Sequence, residues 1–108
     1  MDNYYECGKG WEPLILQAEV IVNKYNQEHP NDEPIEFIQI KEKFGKLNLY
    51  VWPHIKEVDS KLKELENQSL NICENCGNKE NVKRENIHDL IYTLCDKCKN
   101  KLNKDYDY

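Results

Sequence analysis

No stretch of this sequence approaches the ~20 consecutive apolar residues that a membrane-spanning helix requires. Its start, Met1 to Gly10, is polar and aromatic where a secretory leader would be basic and then apolar. These two absences predict a cytoplasmic protein without membrane contact. Also missing are an internal repeat and a phosphate loop, because Gly8-Lys9-Gly10 is far shorter than the Gly-x4-Gly-Lys-Ser/Thr frame. The acids Glu33, Glu36, Glu57 and Glu64 form no obvious paired-carboxylate site and read as solvated. Positive charge is in short supply: 15 Lys and Arg face 20 Asp and Glu, for a net charge of −5. The deficit lies in residues 1–70, with 8 Lys against 13 acids, while residues 71–108 are balanced at 7 and 7. That sign repels a phosphate backbone, so nonspecific nucleic-acid binding is disfavoured unless the basic residues cluster. A large core is also out of reach. With 39% hydrophobic and 32% charged residues in 108 positions, the chain is one domain, or one domain with a small appendage, and a metal staple would offset the thin core.

Secondary-structure signals nevertheless fill most of the chain and predict an α+β fold of helix, β-hairpin and helix ahead of a cysteine-rich segment. Pro13 suits a first helical turn, and Leu14, Ala18, Ile21, Val22 and Tyr25 recur at helical spacing, predicting a helix from about Glu12 to Glu28. Pro30 to Pro34 is a loop. Ile35 to Trp52 is rich in β-branched and aromatic residues and is interrupted at Lys43-Phe44-Gly45-Lys46, a hairpin with Gly45 as the positive-φ residue. Period-two alternation places Ile38 and Ile40 with Leu47, Leu49 and Val51 on one face, and Phe37, Gln39, Tyr50 and Trp52 on the other. After Pro53, the stripe Ile55, Val58, Leu62 and Leu65 predicts a second helix from His54 to about Gln68. Both helices are expected on the aliphatic face; a helix on each face would instead make Phe37, Tyr50 and Trp52 core. The division is 1–70 for this unit and 71–108 for the cysteine segment with a short C-terminal helix and a frayed tail, Lys104 to Tyr108.

Cys73-x2-Cys76-Gly77 is followed, after 18 residues, by Cys95-x2-Cys98. This falls within the zinc spacing Cys-x2-Cys-x15–20-Cys-x2-Cys, because a two-residue gap lets both sulfurs of a pair converge on one ion, and Gly77 gives the turn its freedom. One structural Zn²⁺ on Cys73, Cys76, Cys95 and Cys98 is the leading expectation, ahead of a rubredoxin-like iron site or a redox dithiol. Four thiolates leave no open coordination position. The second pair runs into Lys97, Lys99, Asn100, Lys101 and Leu102, a helix start, which favours a treble-clef-like arrangement over a plain zinc ribbon. The fifth cysteine, Cys7, reads as a small semi-buried residue in preference to a ligand or nucleophile.

His88 and Asp89, between the cysteine pairs, faintly resemble the HNH nucleases, but lack the further ligands of an open catalytic metal site. His29 and His54, beside prolines, read as surface or capping residues. A broader resemblance is carried by Gly10-Trp11-Glu12-Pro13-Leu14-Ile15, by Gln39 to Tyr50 with its Lys41-Glu42-Lys43-Phe44-Gly45 core, and by the two Cys-x-x-Cys pairs. Over roughly Gly8 to Leu102 the chain resembles small uncharacterised phage and prophage proteins. The resemblance implies a phage or prophage gene, acting in the host cytoplasm. The expected function is a noncatalytic interaction module docking on a host protein through Phe37, Tyr50 and Trp52 or the hairpin tip, with inhibition of an antiviral defence as its purpose. The acids of residues 1–70 predict steering towards a basic protein surface. The competing expectation is nucleic-acid binding, with Lys79, Lys83, Arg84, Lys97, Lys99 and Lys101 gathered on the metal segment.

Overall fold

Pro13 stands in the first turn of α1 (Glu12–Glu28), whose buried stripe is Leu14, Ile15, Ala18 and Val22. The computed structural model describes residues 5–106, with side chains described for residues 7–104. Ahead of α1, a two-residue strand β1 (Tyr5–Glu6) leads into a short 3-10 turn, Lys9–Trp11. After α1, Asn26 reaches across the loop, donating to the carbonyl of Ile35 and accepting from its N–H at 3.0 and 2.9 Å. That pair ends the loop and starts the hairpin of β2 (Glu36–Lys43) and β3 (Lys46–Trp52). The turn is Phe44-Gly45, both at positive φ (53° and 77°), the backbone twist that two-residue hairpin turns favour. Next come α2 (Lys56–Gln68), a 3-10 turn Ser69–Asn71, the second hairpin β4 (Val82–Ile87) and β5 (Leu90–Cys95), and α3 (Asp96–Tyr106). α3 extends into the segment expected to fray; Asp107 and Tyr108 lie outside the described residues.

β1 pairs parallel to β2, and β2 pairs antiparallel to β3, giving the sheet order β1-β2-β3. Sequence reasoning missed β1, since two residues carry no periodicity. Both helices cover one face of this sheet, where Ile40, Leu47, Leu49 and Val51 pack with the α1 stripe and with Val58, Leu62 and Leu65 of α2. Two members of the expected faces exchange places. A bulge between Phe37 and Gln39 inserts one unpaired residue, so the alternation changes phase there. Phe37 falls opposite Val51 and packs against the core, while Ile38 is turned out and is 69% exposed. The open edge of β3 is closed by side chains: Ser69 Oγ accepts from the Leu47 N–H at 3.0 Å, and Glu66 Oε2 from that of Leu49 at 2.7 Å.

The buried side chains form two clusters. The larger runs from Trp11 to Leu65, and the smaller comprises Cys73, Ile87, Leu94 and Cys95. Their seam is built mostly of backbone. Gly10 N–H donates to Glu74 O at 2.9 Å, and the fully buried Trp11 donates from Nε1 to Ile72 O at 2.9 Å. The β2–β3 turn is clasped by the second hairpin, with Thr93 Oγ1 donating to Gly45 O at 2.5 Å and Arg84 Nε to Phe44 O at 2.7 Å. A Cβ on Gly10 would overlap the carbonyl oxygen of Cys73 and lie 2.7 Å from the backbone nitrogen of Gly77. Backbone cannot rotate aside as a side chain can. Gly10→Ala is therefore expected to lower stability by at least about 1–3 kcal/mol, the usual cost of overpacking, as read from urea unfolding.

Candidate metal centre

The first cysteine pair sits in a tight knuckle. Gly77 N–H donates to Cys73 O at 2.9 Å and Cys73 N–H to Asn78 O at 2.8 Å, with Gly77 at φ +83°. Glu74 N–H binds Thr93 O at 2.9 Å, which ties the knuckle to β5. The second pair is placed by a change of element: Cys95 ends β5 and Cys98 lies in the first turn of α3. There the Cys98 backbone N–H lowers the pKa of the Cys95 thiol, while burial and the hydrogen bonds among the clustered thiols raise those of Cys76 and Cys98. The resulting order is knuckle, hairpin, helix.

The four sulfurs of Cys73, Cys76, Cys95 and Cys98 all lie within 4.8 Å of one another, and Cys76 Sγ and Cys95 Sγ are 3.7 Å apart. A tetrahedral ion with zinc–thiolate bonds of about 2.3 Å needs sulfur–sulfur edges of about 3.8 Å. The residues fit one four-coordinate ion. Cys73 and Cys95 are buried, Cys98 is half-buried and accepts from Asn75 Nδ2 at 3.4 Å, and Cys76 is exposed. Beside Cys76 opens a shallow cleft of about 680 Å³ ringed by Lys97, Lys101 and Lys104 with Asn75, Asn78 and Asn100. Its lysines oppose the two net negative charges that a tetrathiolate site carries. Among the described residues these four cysteines are the one group of three or more His, Cys, Asp and Glu close enough to share an ion.

Cys7 stands apart from that group, half-buried against the main core. Burial, with the carboxylates of Glu74 and Glu42, pushes its thiol up to about 11, so it is a protonated packing residue at neutral pH. Burial likewise pushes Glu74 up to about 7, against the Thr93 N–H, which lowers it. Cys76→Ser is expected to disrupt residues 71–102 strongly, whereas Cys7→Ser should lower the unfolding free energy by less than about 1 kcal/mol. Metal content and unfolding curves of the two variants test the assignment.

The other sequence candidates scatter. His88 and Asp89 form the β4–β5 turn, both at positive φ. Cys95 is at the opposite end of β5, five residues or about 17 Å away at strand rise, so these side chains do not join the thiolates. Of the six basic residues only Lys97 and Lys101 come together, with Lys104, at the cleft. Lys99 pairs with Glu85 at 2.5 Å, Arg84 is engaged by Phe44 O, Lys97 and Lys101 line the cleft, and Lys79 lies beside Gln68, Asn71 and Ile72. Tyr50 and Trp52 share the exposed outer sheet face, 40% and 56% accessible; Phe37 does not. The hairpin tip is clasped through its backbone, although the Phe44 ring stays exposed. No helix of the described residues is long and apolar enough to cross a membrane. What sequence reasoning missed is the triplet of Gly8, Gly10 and Trp11, whose role as a brace under the knuckle depends on contacts some sixty residues distant. Comparison with protein-family models, with curated proteins and with solved structures gives no match for this chain.

Proposed function

We propose that the protein is a noncatalytic binding module, stapled by one structural Zn²⁺ in a treble-clef-like unit, that acts by docking on another protein. The observation that carries this reading is the outer face of the β1-β2-β3 sheet. Both helices pack on the opposite face, leaving Ile38, Tyr50 and Trp52 exposed together. Trp and Tyr are the residues most enriched among binding hot spots, and exposed apolar clusters on a charged surface mark interfaces. The ring of Trp52 is oriented before any partner arrives: His54 meets it edge-on at 5.5 Å, and Asp59 holds His54 Nδ1 at 3.2 Å. The closed set of four thiolates supports a structural metal, since it offers no coordination position to a substrate. The resemblance to small phage and prophage proteins supports a host protein as the partner and interference with an antiviral defence as the outcome.

Trp52→Ala is expected to leave zinc content and the unfolding midpoint nearly unchanged while abolishing capture of a host protein from lysate. An unfolding cost of ~3–5 kcal/mol, the core-truncation range, would show that Trp52 is structural and sink this reading.

A further inference from the structure

The chain as a whole is acidic, yet the outer sheet face is not. The acids of residues 1–70 are carried largely by the helices, at Glu12, Glu19, Glu28, Glu57, Asp59, Glu64 and Glu66. On the sheet, cross-strand pairing sets Glu36 opposite Trp52, Gln39 opposite Tyr50, Lys41 opposite Asn48 and Lys43 opposite Lys46. On this face three lysines therefore stand against Glu36 and against Glu6, which β1 sets at the register position of Lys41. Lys41 Nζ lies 5.7 Å from the Tyr50 ring centre, which places cation and aromatic in one contiguous surface. Lys43 and Lys46 oppose each other directly, an arrangement that costs stability in a strand pair and that an anion above them would relieve.

The face is thus polarised along its length. Apolar anchors, Ile38 and Trp52, lie at the base of the hairpin, Tyr50 sits in the middle, and lysines follow towards the tip. From Lys46 to Trp52 the strip runs about 20 Å at strand rise. A nucleic-acid strand would stack on Tyr50 and Trp52 but finds no stacking surface in Ile38, which at 69% exposure is the most accessible apolar residue of the patch. A polypeptide uses all three. The charge of this face also reverses the partner sign expected from the sequence.

Resting on the protein-binding reading above, we propose that the outer sheet face takes an extended acidic polypeptide segment. Its apolar side chains seat on Ile38, Tyr50 and Trp52, and its carboxylates meet Lys41, Lys43 and Lys46. The partner is then a protein presenting an acidic, apolar-studded stretch.

Fluorescence anisotropy on the zinc-loaded full chain tests this with three probes: a fluorescein-labelled peptide of alternating Glu and Leu, its counterpart with Lys in place of Glu, and a single-stranded oligothymidylate. The acidic peptide is expected to bind at least about tenfold more tightly than either other probe. Trp52→Ala, and separately the triple change K41E/K43E/K46E, should each weaken it about tenfold or more, with zinc content and circular dichroism unchanged. Preference for the basic peptide that Trp52→Ala still abolishes would overturn the acidic-partner proposal and leave protein binding standing. Tightest binding by oligothymidylate would overturn both, and so would binding by none of the probes together with no protein captured by the wild-type chain. Acidic-peptide affinity within about twofold of wild type in the triple variant would overturn the charge assignment alone.

Discussion

Native mass spectrometry of the purified protein is expected to find one zinc ion per chain, and chelation is expected to unfold residues 71–102. The smaller hydrophobic cluster has four buried members, two of which are the proposed ligands Cys73 and Cys95. Little apolar area remains there to hold the segment once the sulfurs are released. Structural zinc supplies an apparent ~10–16 kcal/mol in small zinc units, as much as or more than the ~5–15 kcal/mol net stability of an ordinary domain. Loss of the ion therefore outweighs anything else in that region. Amide resonances of β4, β5 and α3 should collapse to unfolded positions, while those of α1 and α2 persist with reduced protection. The ligands must be thiolates, so acidification should release zinc in the same transition. A metal-free protein with a native spectrum over 71–102 would refute the staple.

Trp11→Ala should have the largest effect of any single substitution outside the ligand set. Trp11 is fully buried in the main cluster, and its Nε1 is bonded to Ile72 O at the seam. Truncation removes the ring from the core and is expected to cost ~3–5 kcal/mol in urea unfolding. Trp11→Phe separates the two contributions. It keeps most of the apolar volume but leaves the Ile72 carbonyl without its partner, for a smaller cost of about 1–3 kcal/mol. An alanine variant as stable as the wild type would mean that the seam contributes little and that the two clusters fold independently.

The parts of the fold legible in sequence are those that repeat locally. The α1 stripe and the β2–β3 alternation declare their elements by period, and the hairpin turn by Gly45. The convergence of the four cysteines was legible for a related reason, because a two-residue gap between sulfurs is itself a geometric constraint. What escaped depends on single insertions and distant partners. The bulge at Phe37–Gln39 changes the phase of a strand without any signal in composition, so Ile38 and Phe37 exchange faces. Gly8 and Gly10 look like an ordinary turn until the knuckle backbone is seen against them. The charge of the outer face is not legible from net charge, which averages over the molecule, whereas strand register sets Lys41, Lys43 and Lys46 on that face and pairs Glu42 with the buried Leu47 on the other.

The brace between Gly10, Trp11 and the Ile72–Glu74 backbone has a consequence for biosynthesis. Residues leave the ribosome in order, so α1 and the first hairpin emerge well before the segment that closes over Trp11. That segment is held against β5 by the Glu74 N–H to Thr93 O bond and sits beside Cys95 and Cys98, which lie more than eighty residues after Trp11. The indole of Trp11 thus cannot reach its final hydrogen bond until a segment some sixty residues downstream has emerged and folded against it. If the cysteine cluster takes zinc as proposed, a cell short of zinc would accumulate chains whose first helix is formed but whose seam is open, the kind of half-sealed intermediate that chaperones and proteases recognise. An ion bound there would then set how much finished protein exists as well as how stable each molecule is.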